Sequence, residues 1–185
     1  MAIPDHECRF NRPGACLERT AKFEGEDERF KGTDPLAWEH MHALMLDACE
    51  DGLPLSDNAE SGRAGSAGSY RAPIGRRAFK RSRRGGHVPW VGELRVESAS
   101  SADGGRGLWR AYFHDLIDSD DGRKTDHVLM SSVREKGVRK SIRVTFGADG
   151  LNEQDRHIVD AIDSARRWVN SKPLYELRLL QDQRL

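Results

Sequence analysis

Val91-Gly92-Glu93-Leu94-Arg95-Val96-Glu97, then Leu108-Trp109-Arg110-Ala111-Tyr112-Phe113-His114, then Asp126-His127-Val128-Leu129-Met130-Ser131-Ser132-Val133 form the middle of this 185-residue chain. The first segment places Val91, Leu94 and Val96 among charged residues. The second is aromatic, and the third is an apolar run. Each has strand length and strand composition. Residues 98–107, SASSADGGRG, separate the first two. Asp118-Ser119-Asp120-Asp121-Gly122 makes a turn before the third, with Gly122 suited to positive φ. Three short strands joined by polar turns predict a β-meander. Ser141–Phe146 alternates Ile142, Val144 and Phe146 and is expected as a fourth strand.

Helices flank this sheet. Asp34 is an N-cap with Pro35 at the first helical position. Ala37, Met41, Leu44, Met45 and Ala48 then recur at helical spacing, and Gly52 and Pro54 end the helix near residue 51. Asn152 caps a second helix with Ile158, Ala161, Ile162, Ala165, Trp168 and Val169 on one face, ended by Pro173. Helix, strands, helix predicts an α+β domain: a small antiparallel sheet of three to four strands packed with an N-terminal and a C-terminal helix. The expected organisation is an acidic segment over 1–33, the helix over 34–55, a mobile Gly/Ser/Arg-rich insertion over 56–89, the sheet and second helix over 90–172, and a tail over 173–185. Ala15–Phe23 is a candidate edge strand, and Phe23–Glu28 an acidic turn or helix start. The tail either docks or forms a short helix.

Thirty basic and thirty acidic residues give zero net charge, but they are not mixed evenly. Residues 1–61 hold 6 basic and 14 acidic side chains, residues 62–92 hold 8 basic and none acidic, and the rest holds 16 of each. Such a basic belt either binds something anionic or is neutralised by the acidic head. No stretch approaches the length a membrane helix needs, so no membrane is expected. MAIPDHECRF carries no apolar leader and three cysteines make no disulfide framework, so the expected setting is cytoplasmic.

The spacings His6-x-Cys8-x7-Cys16 and His40-x-His42-x6-Cys49 match no standard zinc pattern, and no metal or other cofactor is expected. A Walker sequence and a nucleophile elbow are both absent. What remains is cationic. Arg95, Arg110 and His114 lie on the expected strands, and His127 begins the third. Residues 123–143 hold 7 basic and 2 acidic side chains, among them Arg134, Lys136, Arg139, Lys140 and Arg143. Period-two alternation puts Arg110, Tyr112 and His114 on one strand face, with Tyr112 placed to stack on a base. Trp109, Ala111 and Phe113 are then expected to pack against the Ile158–Val169 stripe. Converging cations attract a phosphate backbone and stabilise a pentavalent phosphate, and a histidine serves proton transfer. The competing readings are a solvated sheet edge guarded by Lys and Arg, and an Arg110 that only closes a salt bridge to a carboxylate such as Glu93.

The order Glu93-Leu94-Arg95, Trp109-Arg110-Ala111-Tyr112-Phe113, Val128–Lys136, Arg139-Lys140-Ser141, and a helix carrying Ala165-Arg166-Arg167 resembles the RelE/ParE superfamily of toxins, in its phage-derived HigB-like branch. The helix over 35–51 followed by Gly52-Leu53-Pro54-Leu55 resembles that family's opening. Three features depart from it: the insertion after the first helix, Glu135 within the expected Lys-Lys pair, and the missing proline after Lys140. The resemblance implies a metal-independent, ribosome-dependent mRNA endonuclease of a toxin–antitoxin system. In that chemistry the 2′-hydroxyl attacks the adjacent phosphate, and a cognate antitoxin holds the toxin. It implies Arg95, Arg110, Arg134 and Lys136 as phosphate clamp. His114 and His127 are acid/base candidates from the residues alone.

Two other readings stay open. One is a non-catalytic nucleic-acid-binding or interaction protein using the belt over 63–84, with Arg76, Arg77, Lys80, Arg81, Arg83 and Arg84 as contacts beside Arg139 and Lys140. The other is a gyrase-inhibiting member of the same fold.

Overall fold

Alternating apolar residues in the middle of the chain form three long strands, as the computed structural model shows for residues 7–53, 70–82, 85–98, 107–136 and 151–181. These are β3 (Val91–Glu97), β4 (Leu108–Asp118) and β5 (Lys124–Lys136). They pair antiparallel, and Gly122 takes φ +66° in the turn between β4 and β5. The sheet is larger than the three to four strands the sequence predicts. Among the described residues it has six, in the order β1-β5-β4-β3-β2 with β6 on the far end of β4. The two edge strands are β1 (Cys16–Arg19), parallel to β5, and β2 (Tyr70–Ile74), antiparallel to β3; β6 is Tyr175–Leu177. The α+β class therefore holds, but the sheet is mixed. Ser141–Phe146 lies outside the described residues.

The helices α1 (Ala21–Thr33) and α2 (Pro35–Glu50) cover one face of the sheet. The Asp34 side chain accepts from the Ala37 N–H and caps α2, as its sequence predicts. The sequence of α1 reads only as an acidic turn or helix start, because few apolar residues mark it. Two of those, Phe23 and Phe30, are fully buried, and Phe30 stacks on Trp109 with ring centroids 3.9 Å apart. Trp109, Ala111 and Phe113 therefore pack beneath α1 and α2, and not against the Ile158–Val169 stripe. Gly92 lies opposite Phe113 across the β3–β4 ladder, and an added Cβ there would run into the phenyl ring.

α3 (Arg76–Arg81) and α4 (Glu153–Asn170) cover the second face. Asn152 and Asp155 form a capping box at the start of α4. Ile158, Val159, Ala161 and Ile162 pack with Val91, Tyr112, Ile74 and Phe79. Ala165 continues the packing onto Leu116, Leu129 and Leu177.

Part of the expected insertion is thus core. Tyr70, Ala72 and Ile74 alternate inward from β2, and Ala78 and Phe79 bury from α3. Five apolar residues among Gly, Ser and Arg make no period long enough to stand out. Residues 56–69 of that insertion lie outside the described residues, as do 54, 55, 83 and 84. Of the two expectations for the tail, docking holds: it pairs with β4 as β6 and buries Leu177 and Leu180, and it forms no helix among the described residues.

The acidic head belongs to the same body. β1 covers β5 only as far as Met130. Beyond it the edge is finished by side chains: Thr20 Oγ1 donates to the Ser131 carbonyl at 3.0 Å, and Glu26 Oε2 accepts from the Val133 N–H at 2.9 Å and the Ser132 hydroxyl at 2.6 Å. A buried carboxylate thereby closes an otherwise open strand edge. No helix among the described residues is long and apolar enough to cross a membrane.

Candidate nucleic-acid interface

The register of β3, β4 and β5 puts three arginines in one row on the second face. Arg95 is opposite Arg110, and Arg110 is opposite Arg134. Leu108 pairs Lys136 one step further toward the same end. Like charges directly opposite each other destabilise a sheet, so this row needs counter-ions or a purpose.

Two buried carboxylates answer part of it. Glu93 is fully enclosed. Its Oε1 accepts from Arg95 Nε at 2.9 Å and from Arg110 Nη1 at 2.8 Å, and its Oε2 accepts from Arg110 Nη1 at 2.7 Å. Glu26 Oε1 lies 2.7 Å from Arg134 Nη2. Four cations thus face two carboxylates, with Glu153 of α4 adding a third negative charge within electrostatic reach of Lys136. Lys136 Nζ donates to Gln154 Oε1 at 3.2 Å. Burial, then the positive charge of Arg110, holds the Lys136 pKa below the usual lysine value against the pull of Glu93 and Glu153. Burial likewise lowers that of Arg95, opposed first by Glu93.

Exposure divides the row. Arg110 is buried and the Arg95 side chain is 16 % exposed, while that of Arg134 is 35 % exposed and Lys136 is half-buried. Arg134 and Lys136 meet solvent, and Arg95 and Arg110 add their field from behind.

The two strand histidines do not join them. His114 is fully buried under α4. Its Nδ1–H donates to the Trp90 carbonyl at 3.1 Å and its Nε2 meets the Ser131 hydroxyl at 3.0 Å. Burial pushes its pKa down to about 4, so it is a neutral core residue, not an acid or base at a surface. His127 sits at the opposite end of β5, with Nδ1 3.1 Å from Glu18 Oε1 and its ring 5.2 Å from Tyr175. Tyr112 does share the face of Arg110, but it is enclosed beneath α4 and presents no ring to a base. Burial raises its phenol pKa, and its hydroxyl has no hydrogen-bond partner among the described residues.

Part of the basic belt reaches the same end of the molecule. Arg76, Arg77, Lys80 and Arg81 lie on α3. Arg77 and Lys80 are exposed, and Arg81 Nη1 binds Asp155 Oδ2 at 2.7 Å. Arg81 and Lys136 therefore grip neighbouring residues of the first turn of α4, Asp155 and Gln154. Arg83, Arg84, Arg139 and Lys140 lie outside the described residues. Among those that are described, no three His, Cys, Asp or Glu side chains gather to hold a metal ion.

The Arg110–Glu93 salt bridge is the one the sequence offers, whereas three groups here carry no signal in the local sequence: Glu26, Gln154 and His157. His157 lies on α4 three residues after Gln154, half-buried, with Nδ1 enclosed and without a partner among the described residues. Burial lowers its pKa, opposed first by Glu153, while Arg134 lowers it further. Comparison with family models, with curated proteins and with solved structures gives no match.

Proposed function

We propose that the chain is an RNA-binding, toxin-like endonuclease of the RelE/ParE kind, acting on mRNA at the ribosome without a metal and restrained by a cognate antitoxin. The observation that carries this reading is the row Arg95–Arg110–Arg134 with Lys136, drawn from three adjacent strands onto one end of one sheet face. Natural sheets avoid such a row, and a phosphate in front of Arg134 and Lys136 supplies the missing negative charge. The exposed Arg77 and Lys80 of α3 extend the cationic surface along the message. Arg95 and Arg110 keep the potential positive through the transition state, when the phosphate gains charge.

The displaced histidines favour a second reading, a non-catalytic nucleic-acid binder on the same cations. One experiment separates the two. The protein is expressed in a bacterial host and 5′ ends of cellular mRNA are mapped, beside direct RNA binding at two salt concentrations. New 5′ ends that disappear with Arg134→Ala support the nuclease. Salt-dependent binding without new ends supports the binder, and neither signal removes both.

A further inference from the structure

We propose that the outer side of α2 docks a cationic amphipathic helix of a partner protein. Leu36, Glu39, Ala43, Leu46 and Glu50 follow one another at alternating steps of three and four residues, so they make one stripe along the helix. All five are exposed, and so is Asp47 beside them. The buried side of the same helix is Ala37, Met41, Met45 and Ala48, packed in the core. The fold is thus satisfied without the outer stripe, yet Leu36 is 51 % exposed and Leu46 55 %. Single exposed leucines are ordinary on a surface. These two share one seam, with the small Ala43 between them, and that three-and-four spacing is how one helix receives the side chains of another.

Charge selects the occupant. α2 holds Glu39, Asp47 and Glu50 and neither lysine nor arginine. None of these three carboxylates makes an ion pair among the described residues. The buried acids of α1 differ: Glu26 meets Arg134 at 2.7 Å and Asp27 meets His42 at 3.0 Å. Unpaired carboxylates repel a nucleic acid or an anionic membrane surface. A second copy laid seam to seam sets the carboxylates of each chain against those of the other. The cations on this chain's own α3 do not fit the seam either, because Arg77 and Lys80 are exposed while the apolar Ala78 and Phe79 beside them are buried.

What fits is a helix from another protein. Its apolar residues cover Leu36, Ala43 and Leu46, and lysines or arginines on its flanks meet Glu39, Asp47 and Glu50. α2 lies on the opposite face of the sheet from Arg134 and Lys136, so the docked helix leaves the cationic row open. The proposal therefore holds whether or not that row binds or cleaves RNA.

The test titrates the full chain with a designed helical peptide of about 20 residues, enough to span α2, with leucines along one seam and lysines on both flanks. A second peptide carries glutamates in place of the lysines. At low salt the cationic peptide should bind at least about tenfold more tightly than the acidic one, and the preference should shrink as salt is added. Leu36→Ser with Leu46→Ser should weaken the cationic peptide by about tenfold, the loss of ordinary interface anchors, at an unchanged melting temperature. Glu39→Lys with Glu50→Lys should reverse the preference between the peptides, and this pair decides the matter if the serine pair fails to fold. No binding of the cationic peptide overturns the proposal, and so does binding that is equal in wild type and either double variant. Sedimentation of the chain alone is the last arm: a dimer that the serine pair abolishes makes the occupant a second copy and overturns it as well.

Discussion

Two stretches of the second sheet face lie side by side on β4 and β5 and meet different surroundings. Toward the β6 end, His114, Leu116 and Leu129 sit beneath α4, and the one polar side chain among them is satisfied by Trp90 and Ser131. Toward the other end, Arg110, Arg134 and Lys136 lie where α4 begins, beside its polar first turn. On β4 one period-two alternation produces both; on β5 a bulge at Ser131 shifts the alternation between Leu129 and Arg134. The helix makes the difference: its apolar stripe starts at Ile158, and before that point it offers Glu153, Gln154 and Asp155. His114 under the stripe is neutral and bonded at both ring nitrogens, whereas a residue beside the first turn can stay charged and meet water.

The largest effect expected from this contrast is at Glu93. Glu93→Ala leaves Arg95 and Arg110 facing each other in a buried position with no counter-ion, and removing one partner of a buried pair costs about 3–5 kcal/mol. Urea or thermal unfolding should show a loss of that size. Arg110→Ala should lose less, because Arg95 still holds the carboxylate at 2.9 Å. A Glu93→Ala protein as stable as wild type would mean that the row is solvated and that the two ends of the face do not differ as described.

The closed end gives a pH-dependent test. His114 has a folded pKa of about 4 against an ordinary 6.5, so between those values the unfolded chain binds the extra proton. Stability is then full above about pH 6.5 and falls as pH drops toward 4. Asp115, whose pKa burial raises, works in the opposite sense, so the raw curve mixes the two. The difference between wild type and His114→Gln isolates the histidine. The variant should be less stable at neutral pH and lose less of its stability on acidification. Parallel curves would place His114 in contact with water.

The long strands and both strongly periodic helices are legible in the sequence because each buries an uninterrupted apolar pattern with caps at its ends: Asp34 and Asn152 cap as their sequences predict. α1, β2 and β6 are not. α1 buries two phenylalanines and spends Glu26 and Asp27 on polar contacts that look like surface charge in one dimension. β2 shows three small alternations inside a basic stretch, and β6 is three residues long. The cations of the site are visible in the sequence, and so is the period that puts Arg110 and His114 on one face. Their fates are not, because a strand period does not say where a covering helix ends. The Arg110–Glu93 salt bridge is legible as an alternative to a phosphate clamp, and the β3–β4 register brings it about.

The smallest effect on stability, and the sharpest on binding, is expected at Lys136. It is half-buried, it donates to the neutral amide of Gln154, and it stands among arginines. Lys136→Ala therefore removes a cation that Arg110 and Arg95 repel and Glu93 and Glu153 attract, and stability should change by no more than about 0.5 kcal/mol, as for an ordinary surface substitution. If its ammonium meets a phosphate, binding to single-stranded RNA should weaken, and the slope of log affinity against log salt should become shallower by about 0.7, the value for a single neutralised phosphate. His114→Gln, at the closed end, should leave that slope unchanged. Equal slopes for wild type and Lys136→Ala would take the lysine out of the interface. A slope that also fell in His114→Gln would mean that the two ends of the face are coupled through α4, not separate.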